Sequence, residues 1–419
     1  MKRTIKFTLF CFILLGFQNV KAQYDLFVKN VTLISMRQNE VLQNKDIGIT
    51  NGKITFIGNT SKDVKAKQTI DGTGKFLMPG LYDMHVHWTE NNPERYFQLQ
   101  TLAGITSARI MKSEPSIIAF RNKNSQNFVV PQLHIGFPIN SDDSMTLPQM
   151  KAKVKMIKKE GYDFIKTFGI HDEPLFDELM RSAKRNKLMV CGHFLQNIKT
   201  EKLVLSGYHS IEHVGFEKIK SPTRLDSLLN LAALKDLYIC PTLDWVQMVY
   251  HSVPQEKLSE RSGYDIGKKL YAVEWDTTYA STTKQLGEEN GKKYADYMSK
   301  DVAKKITALE KIRAKNINVI AGSDAEEPYQ TPGFSLIEEL KLIQKAGYTN
   351  YELLKTCTIN AATFFHEEKK LGTIEQGKQA NLIVLGKNPL ENIKNLESVE
   401  YIIKGNEGRS AADLLKEIK

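Results

Sequence analysis

Residues 76–87 read Phe76-Leu77-Met78-Pro79-Gly80-Leu81-Tyr82-Asp83-Met84-His85-Val86-His87. The second half of this stretch is a short apolar run that ends on two histidines two positions apart. On a strand, side chains at i and i+2 point to the same face, so His85 and His87 can meet one metal ion. Seven further runs downstream share the form, apolar and then polar: 104–111, 132–138, 164–168, 189–193, 210–213, 237–242 and 318–324. Amphipathic stretches rich in lysine and glutamate separate most of them, such as SMTLPQMKAKVKMIKKEG at 144–161 and PLFDELMRSAKRNK at 174–187. Eight such repeats predict a parallel (β/α)8 barrel, the TIM-barrel architecture. A doubly wound sheet would open on a glycine-rich first turn, which this chain lacks.

On either side of the barrel pattern the texture changes. Residues 25–34 are β-rich, and 47–50 and 54–57 flank Asn51-Gly52, a strong hairpin signal. Residues 381–385 and 399–403 resume the same texture, punctuated by Gly372, Gly377, Gly386 and Gly405. These ends predict one small β-sandwich domain assembled from 23–75 and 368–408, beside a barrel over 76–367. Residues 244–300 are long for a single barrel connection. They carry helical patterning and the aromatics Trp245, Tyr250, Tyr264, Tyr271, Trp275 and Tyr279. This insertion reads either as a cover over the barrel mouth or as surface decoration.

Residues 1–22 have the form of a signal peptide: Lys2, Arg3 and Lys6, then the apolar run 7–17, then Val20-Lys21-Ala22 before Gln23. The run is short of the roughly 20 residues that span a bilayer. An exported protein, periplasmic or secreted and bacterial, is expected, with no stable membrane insertion once the leader is removed. The formal charge is +10, and four of the basic residues lie within 1–22, leaving +6 for the remainder. Lysines alternate with acids along the helical stretches, which is a solvated surface and no nucleic-acid footprint. Cys191, Cys240 and Cys357 sit in apolar or small-residue settings and read as buried thiols.

The polar ends of the runs carry the chemistry. His85 and His87 end the first run, Lys166 the fourth, His193 the fifth, His213 the sixth and Asp324 the eighth. Active sites of such barrels lie at the C-terminal ends of their strands. Four histidines and an aspartate placed there form an N/O donor set for zinc or a similar divalent ion. His134, after the third run, is a candidate substrate contact. Arg109 reads as a structural ion-pair residue.

The stretch 76–87 closely resembles the first-strand signature of the amidohydrolase superfamily. Residues 102–109 (LAGITSAR), 210–213 (SIEH) and 321–324 (AGSD) resemble further motifs of its imidazolonepropionase-like and prolidase-like members, as do 358–362 and 371–378 near the end. Ala380-Asn381-Leu382 departs from the usual Ala-Asp-Leu, in the β domain and away from any catalytic role. The resemblance covers most of the chain outside 1–22, with 244–300 unmatched. It implies two divalent ions, zinc by expectation. His85, His87 and Asp324 would hold the first, and His193 and His213 the second. Lys166 would bridge both once N6-carboxylated by CO2, because a plain lysine repels metal and its carbamate is an anionic two-oxygen ligand. Asp324 would carry the catalytic proton.

The function so implied is hydrolysis of an amide C–N bond in a small substrate, with a dipeptide as one candidate, by a metal-activated hydroxide. The alternatives are a cyclic amide or lactone hydrolase on the same site, a mononuclear deaminase, or a silent binding protein. Lys166 disfavours the deaminase, and retention of the full ligand set argues against the binding protein. A homo-oligomer is compatible with all of them.

Overall fold

The computed structural model describes residues 23–60, 64–87, 92–142, 144–249 and 253–418, so the leader read at 1–22 lies outside the described residues. Five strands open the chain: β1 (Tyr24–Leu33), β2 (Leu42–Thr50), β3 (Lys53–Gly58), β4 (Ala66–Asp71) and β5 (Phe76–Pro79). The barrel strands follow: β6 (Leu81–His87), β7 (Ile105–Lys112), β8 (Gln132–Asn140), β9 (Phe164–Gly169), β10 (Met189–His193), β11 (Ser210–Glu212) and β12 (Tyr238–Cys240). The last three are β13 (Asn381–Leu385), β14 (Val399–Lys404) and β15 (Glu407–Ser410).

Strands β6 to β12 form one seven-stranded sheet in sequence order, and every neighbouring pair is parallel. The eighth run, 318–324, forms no regular strand and closes the barrel through separate backbone hydrogen bonds. On one side Ile239 N donates to Asn318 O at 2.9 Å and Ile320 N to Ile239 O at 3.0 Å. On the other, Met84 N donates to Ala321 O at 2.9 Å and Asp324 N to His85 O at 2.8 Å. Two of the barrel helices begin on side-chain caps. Leu147–Lys159 opens on a capping box between Thr146 and Gln149, and Glu173–Arg185 on the side chain of Asp172, so backbone donors that the first turn leaves free find acceptors.

The second sheet runs β15-β14-β13-β5-β1-β2-β3, with β4 also paired to β1. It is drawn from both chain ends, as the strand texture predicts. Asn51 and Gly52 both take positive φ, 52° and 71°, as a two-residue hairpin turn of the primed kind requires. The sheet has its own core of Leu26, Val28, Ile47, Ile49, Leu77, Leu382 and Ile403, among others. Burial of such side chains stabilises by roughly 1.5–3 kcal/mol each.

The insertion is a helical hairpin, Tyr264–Leu286 and Glu288–Ala314, and its second arm runs past residue 300. A buried ion pair ties it to the barrel: Arg261 Nη2 donates to both carboxylate oxygens of Asp244, at 2.9 and 2.7 Å. Gln330, in the loop after Asp324, donates to the same carboxylate at 2.7 Å. Among the described residues no helix is long and apolar enough to cross a membrane. Cys191, Cys240 and Cys357 are free and buried.

Candidate metal centre

The two histidines of β6 converge. His85 Nε2 and His87 Nε2 lie 3.3 Å apart, and Asp324 Oδ1 stands 3.6 Å from the first and 3.3 Å from the second. His213 Nδ1 approaches Asp324 Oδ2 at 3.8 Å, and its ring lies 5.2 Å from that of His85 and 4.9 Å from that of His193. Donor atoms of His85, His213 and Asp324 all lie within 4.8 Å of one another, as do those of His87, Asp324 and Glu326. His193 joins this group through its ring contact with His213.

Local backbone makes the convergence possible. His213, Val214, Thr242 and Asp324 all have positive φ, between 49° and 69°, at the ends of their strands. Such conformations cost energy for residues other than glycine and concentrate at functional sites. Gly322 lets the eighth segment pass against β6, because a Cβ there would meet His85 N and Cβ at 2.5 Å. Gly192, just before His193, has the same role toward β9, where a Cβ would stand 2.2 Å from Thr167 O.

The electrostatics favour neutral imidazoles. Burial and the positive charge of Lys166 hold His85 well below the ordinary histidine range. The same two causes bring His193 down to about 4. His213 is likewise held well below, by burial, then His85 and Lys166. Burial also pushes the Asp324 carboxyl up to about 7. Lys166 is fully buried, its pKa is lowered by burial, and its Nζ has no hydrogen-bond partner among the described residues. Asp324 Oδ1 is likewise buried without one. The lowered pKa values of His85, His193 and His213, with a buried carboxylate oxygen and a buried amine that lack hydrogen-bond partners, suit a divalent ion with N and O ligands.

Two glutamates hold the outer nitrogens of the β6 pair. His85 Nδ1 lies 2.9 Å from Glu212 Oε2, and His87 Nδ1 contacts the Glu326 carboxylate. Neither was singled out in the sequence as a site residue. The usable signal for Glu212 was its place two residues after Ser210 on a barrel strand, where an interior carboxylate needs a partner. Lys305, on the second arm of the hairpin, donates to His213 O and to Glu217, both at 2.7 Å. It was also missed, since it lies beyond residue 300.

His134 does not join the group. It is the third residue of β8, and Asn140 at the barrel mouth lies six positions further on, about 20 Å at the strand rise of roughly 3.3 Å per residue. Its ring stacks on Phe365 with centroids 3.7 Å apart, and Nε2 lies 3.5 Å from Glu367. The expectation of a substrate contact is therefore corrected to packing at the far end of the barrel.

Cavities open on both sides of the cluster. One, of about 450 Å³, is lined by His193, His213, Phe168, Phe194 and Lys218. The other, of about 640 Å³, is lined by His87, Glu326 and Glu327 together with Tyr271, Glu274 and Trp275 of the insertion. The insertion thus walls the barrel mouth, in keeping with the first of its two readings.

The model of the amidohydrolase family matches residues 76–407. A 5-methylthioadenosine/S-adenosylhomocysteine deaminase of Thermoanaerobacter pseudethanolicus is 23% identical over 381 residues, covering 86% of this chain and 85% of the relative. An imidazolonepropionase of the same organism is 22% identical over 398 residues, covering 87% and 88%. Among solved structures, a Xaa-Pro dipeptidase with bound methionine in its active site superposes with a TM-score of 0.69 at 20% identity, covering 92% of this chain and 99% of that one.

Proposed function

The chain belongs to the amidohydrolase family, and from that premise we propose that it hydrolyses an amide C–N bond of a small substrate at a two-ion centre. It is a hydrolase of C–N bonds in a metal-dependent family. The observation that carries the finer reading is the pair of buried atoms without a hydrogen-bond partner, Lys166 Nζ and Asp324 Oδ1, set beside His85, His193 and His213 with their lowered pKa values.

His85, His87 and Asp324 would hold one ion, and His193 and His213 the other. Divalent ions there, zinc being the first to test, would polarise the substrate carbonyl and acidify a water near neutral pH. Lys166, once carboxylated, would be the ligand shared by the two ions. Its lowered pKa favours the neutral amine, which adds to CO2: a C–N bond forms, a proton leaves, and the cation that repels metal becomes an anionic ligand. Asp324, facing the same space, would take a proton from water and give it to the leaving nitrogen.

The named relatives include a deaminase and an imidazolonepropionase, so they support the bond type and leave the substrate open. A dipeptide is the first class to test, given the structural likeness to a dipeptidase, followed by cyclic amides and lactones. A deaminase is the second reading, favoured by the 23% identical relative. Metal content of protein purified with zinc and bicarbonate decides between them. About two ions per chain with amine release from dipeptides supports the binuclear amidase. One ion with ammonia release from aminated purines supports the deaminase. Export is proposed from residues 1–22, and N-terminal sequencing of periplasmic or secreted material should read from Gln23.

A further inference from the structure

Beneath the cluster lies an ion pair that none of the chemistry above uses. Arg109 on β7 reaches Glu212 on β11, and three strands of the sheet separate these two, so the pair crosses the barrel interior. Arg109 Nη2 donates to Glu212 Oε2 at 2.8 Å, and Ser210 Oγ donates to Glu212 Oε1 at 2.6 Å. Arg109 Nη1 also donates to Ser210 Oγ at 2.9 Å, and Nε to Met84 O at 2.5 Å, in the residue before His85. Arg109, Ser210, Glu212 and His85 are each at most 1% exposed.

A buried ion pair is an expensive way to stabilise a barrel, since apolar residues of like volume often do as well or better. Its position explains what it does here. Glu212 Oε2 accepts from His85 Nδ1 at 2.9 Å, which places the ring proton on Nδ1 and leaves the Nε2 lone pair facing His87 and Asp324. Two donors from Arg109 and Ser210 hold the carboxylate against the ring, so Glu212 cannot turn its charge toward an ion. Through Met84 O, Arg109 also grips the strand that carries His85.

We propose that Arg109 and Glu212 are positioning residues: together they set the tautomer and aim of His85 and so tune the affinity of the centre for its ion. The assignment rests on the reading of His85 as a metal ligand.

The test uses the full chain with zinc alone. Affinity is measured by competition with a chromophoric chelator, and the Nδ1–H of His85 is followed by proton–nitrogen NMR on histidine-labelled protein. Glu212→Gln leaves Arg109 with no counter-ion and could simply unfold. The double variant Arg109→Met/Glu212→Leu removes both charges together with the acceptor of the Nδ1 proton, and separates folding from positioning. The expected result is a double variant that melts close to the wild type, binds zinc at least about tenfold more weakly, and loses the protected Nδ1–H signal. Wild-type zinc affinity and an unchanged signal in the folded double variant would overturn the proposal. Should the wild type itself bind no zinc, the metal reading fails first. His85→Ala in the same assay shows which has happened, because it must lose zinc affinity if His85 is a ligand at all.

Discussion

His87 Nε2 and Asp324 Oδ1 stand 3.3 Å apart, one at the end of the first barrel strand and the other on the segment that closes the barrel. With His85 Nε2 3.6 Å from the same oxygen, a single carboxylate atom faces two imidazoles and has no hydrogen-bond partner. Asp324→Asn keeps the shape and removes both the charge and the proton affinity. It should lower kcat by roughly 10²–10⁴-fold and reduce the metal retained per chain. Steady-state rates and elemental analysis of the same preparation check this, and full activity in the variant would remove Asp324 from the proton path.

Lys166 is fully buried with a partnerless Nζ among the groups that depress the neighbouring histidines. Lys166→Ala should lose one ion and nearly all activity. Added acetate or propionate with zinc should restore part of both, because a free carboxylate can occupy the place of the carbamate. A variant as active as the parent without any additive rules out the bridged centre.

Zinc uptake should depend on pH with a definite sign. The Asp324 carboxyl, pushed up to about 7 by burial, holds a proton below that value in the metal-free protein, and zinc must displace it. His193, at about 4, is already free to bind throughout this range. Apparent affinity for the ion that Asp324 would hold should therefore rise by up to about tenfold per pH unit from 5.5 toward 7 and flatten above, with close to one proton released at the low end. Calorimetry in buffers of different ionisation heat counts that proton, and an affinity independent of pH over this window contradicts the assignment.

The Arg261–Asp244 pair, 5% and 0% exposed at the side chains, joins the root of the insertion to the loop after Asp324. Arg261→Met leaves a buried carboxylate without its cation and should cost about 3–5 kcal/mol in urea unfolding. Arg261→Met/Asp244→Asn should recover much of that stability. The double variant should still bind substrate less well, because Arg261 Nε also holds Tyr329 O beside the insertion-walled cavity. A raised KM with a near-wild-type melting point is the expected signature.

The barrel was legible in the chain because short apolar runs that pass into polar residues alternate with lysine- and glutamate-rich amphipathic stretches. All eight runs lie in the barrel wall, although 318–324 holds its place without ladder pairing. His85, His87, His213 and Asp324 could be picked out because they recur together at the ends of successive runs and sit in motifs that resemble those of the amidohydrolases. The misreading of His134 was one of depth. Periodicity says which face a side chain takes on β8 and nothing about how far along the barrel axis it lies. Glu212 and Glu326 were hidden for a different reason. Carboxylates are common on surfaces, and only the fold shows that these two meet the Nδ1 atoms of His85 and His87. Lys305 comes from an element whose contact with His213 depends on how a hairpin outside the barrel repeats folds back.

The eighth segment touches its neighbours through separate backbone bonds, two of them to β6, in place of a continuous ladder. Any ion that His85, His87 and Asp324 share would therefore act as a clasp across the weakest seam of the hoop. Stripping it with a chelator should speed hydrogen exchange at the amides of Met84 and Asp324, the two donors across that seam, well before the rest of the wall loosens. On the proposed reading, the seam held by separate backbone bonds would also carry the chemistry, and catalytic ion and closed wall would stand or fall together.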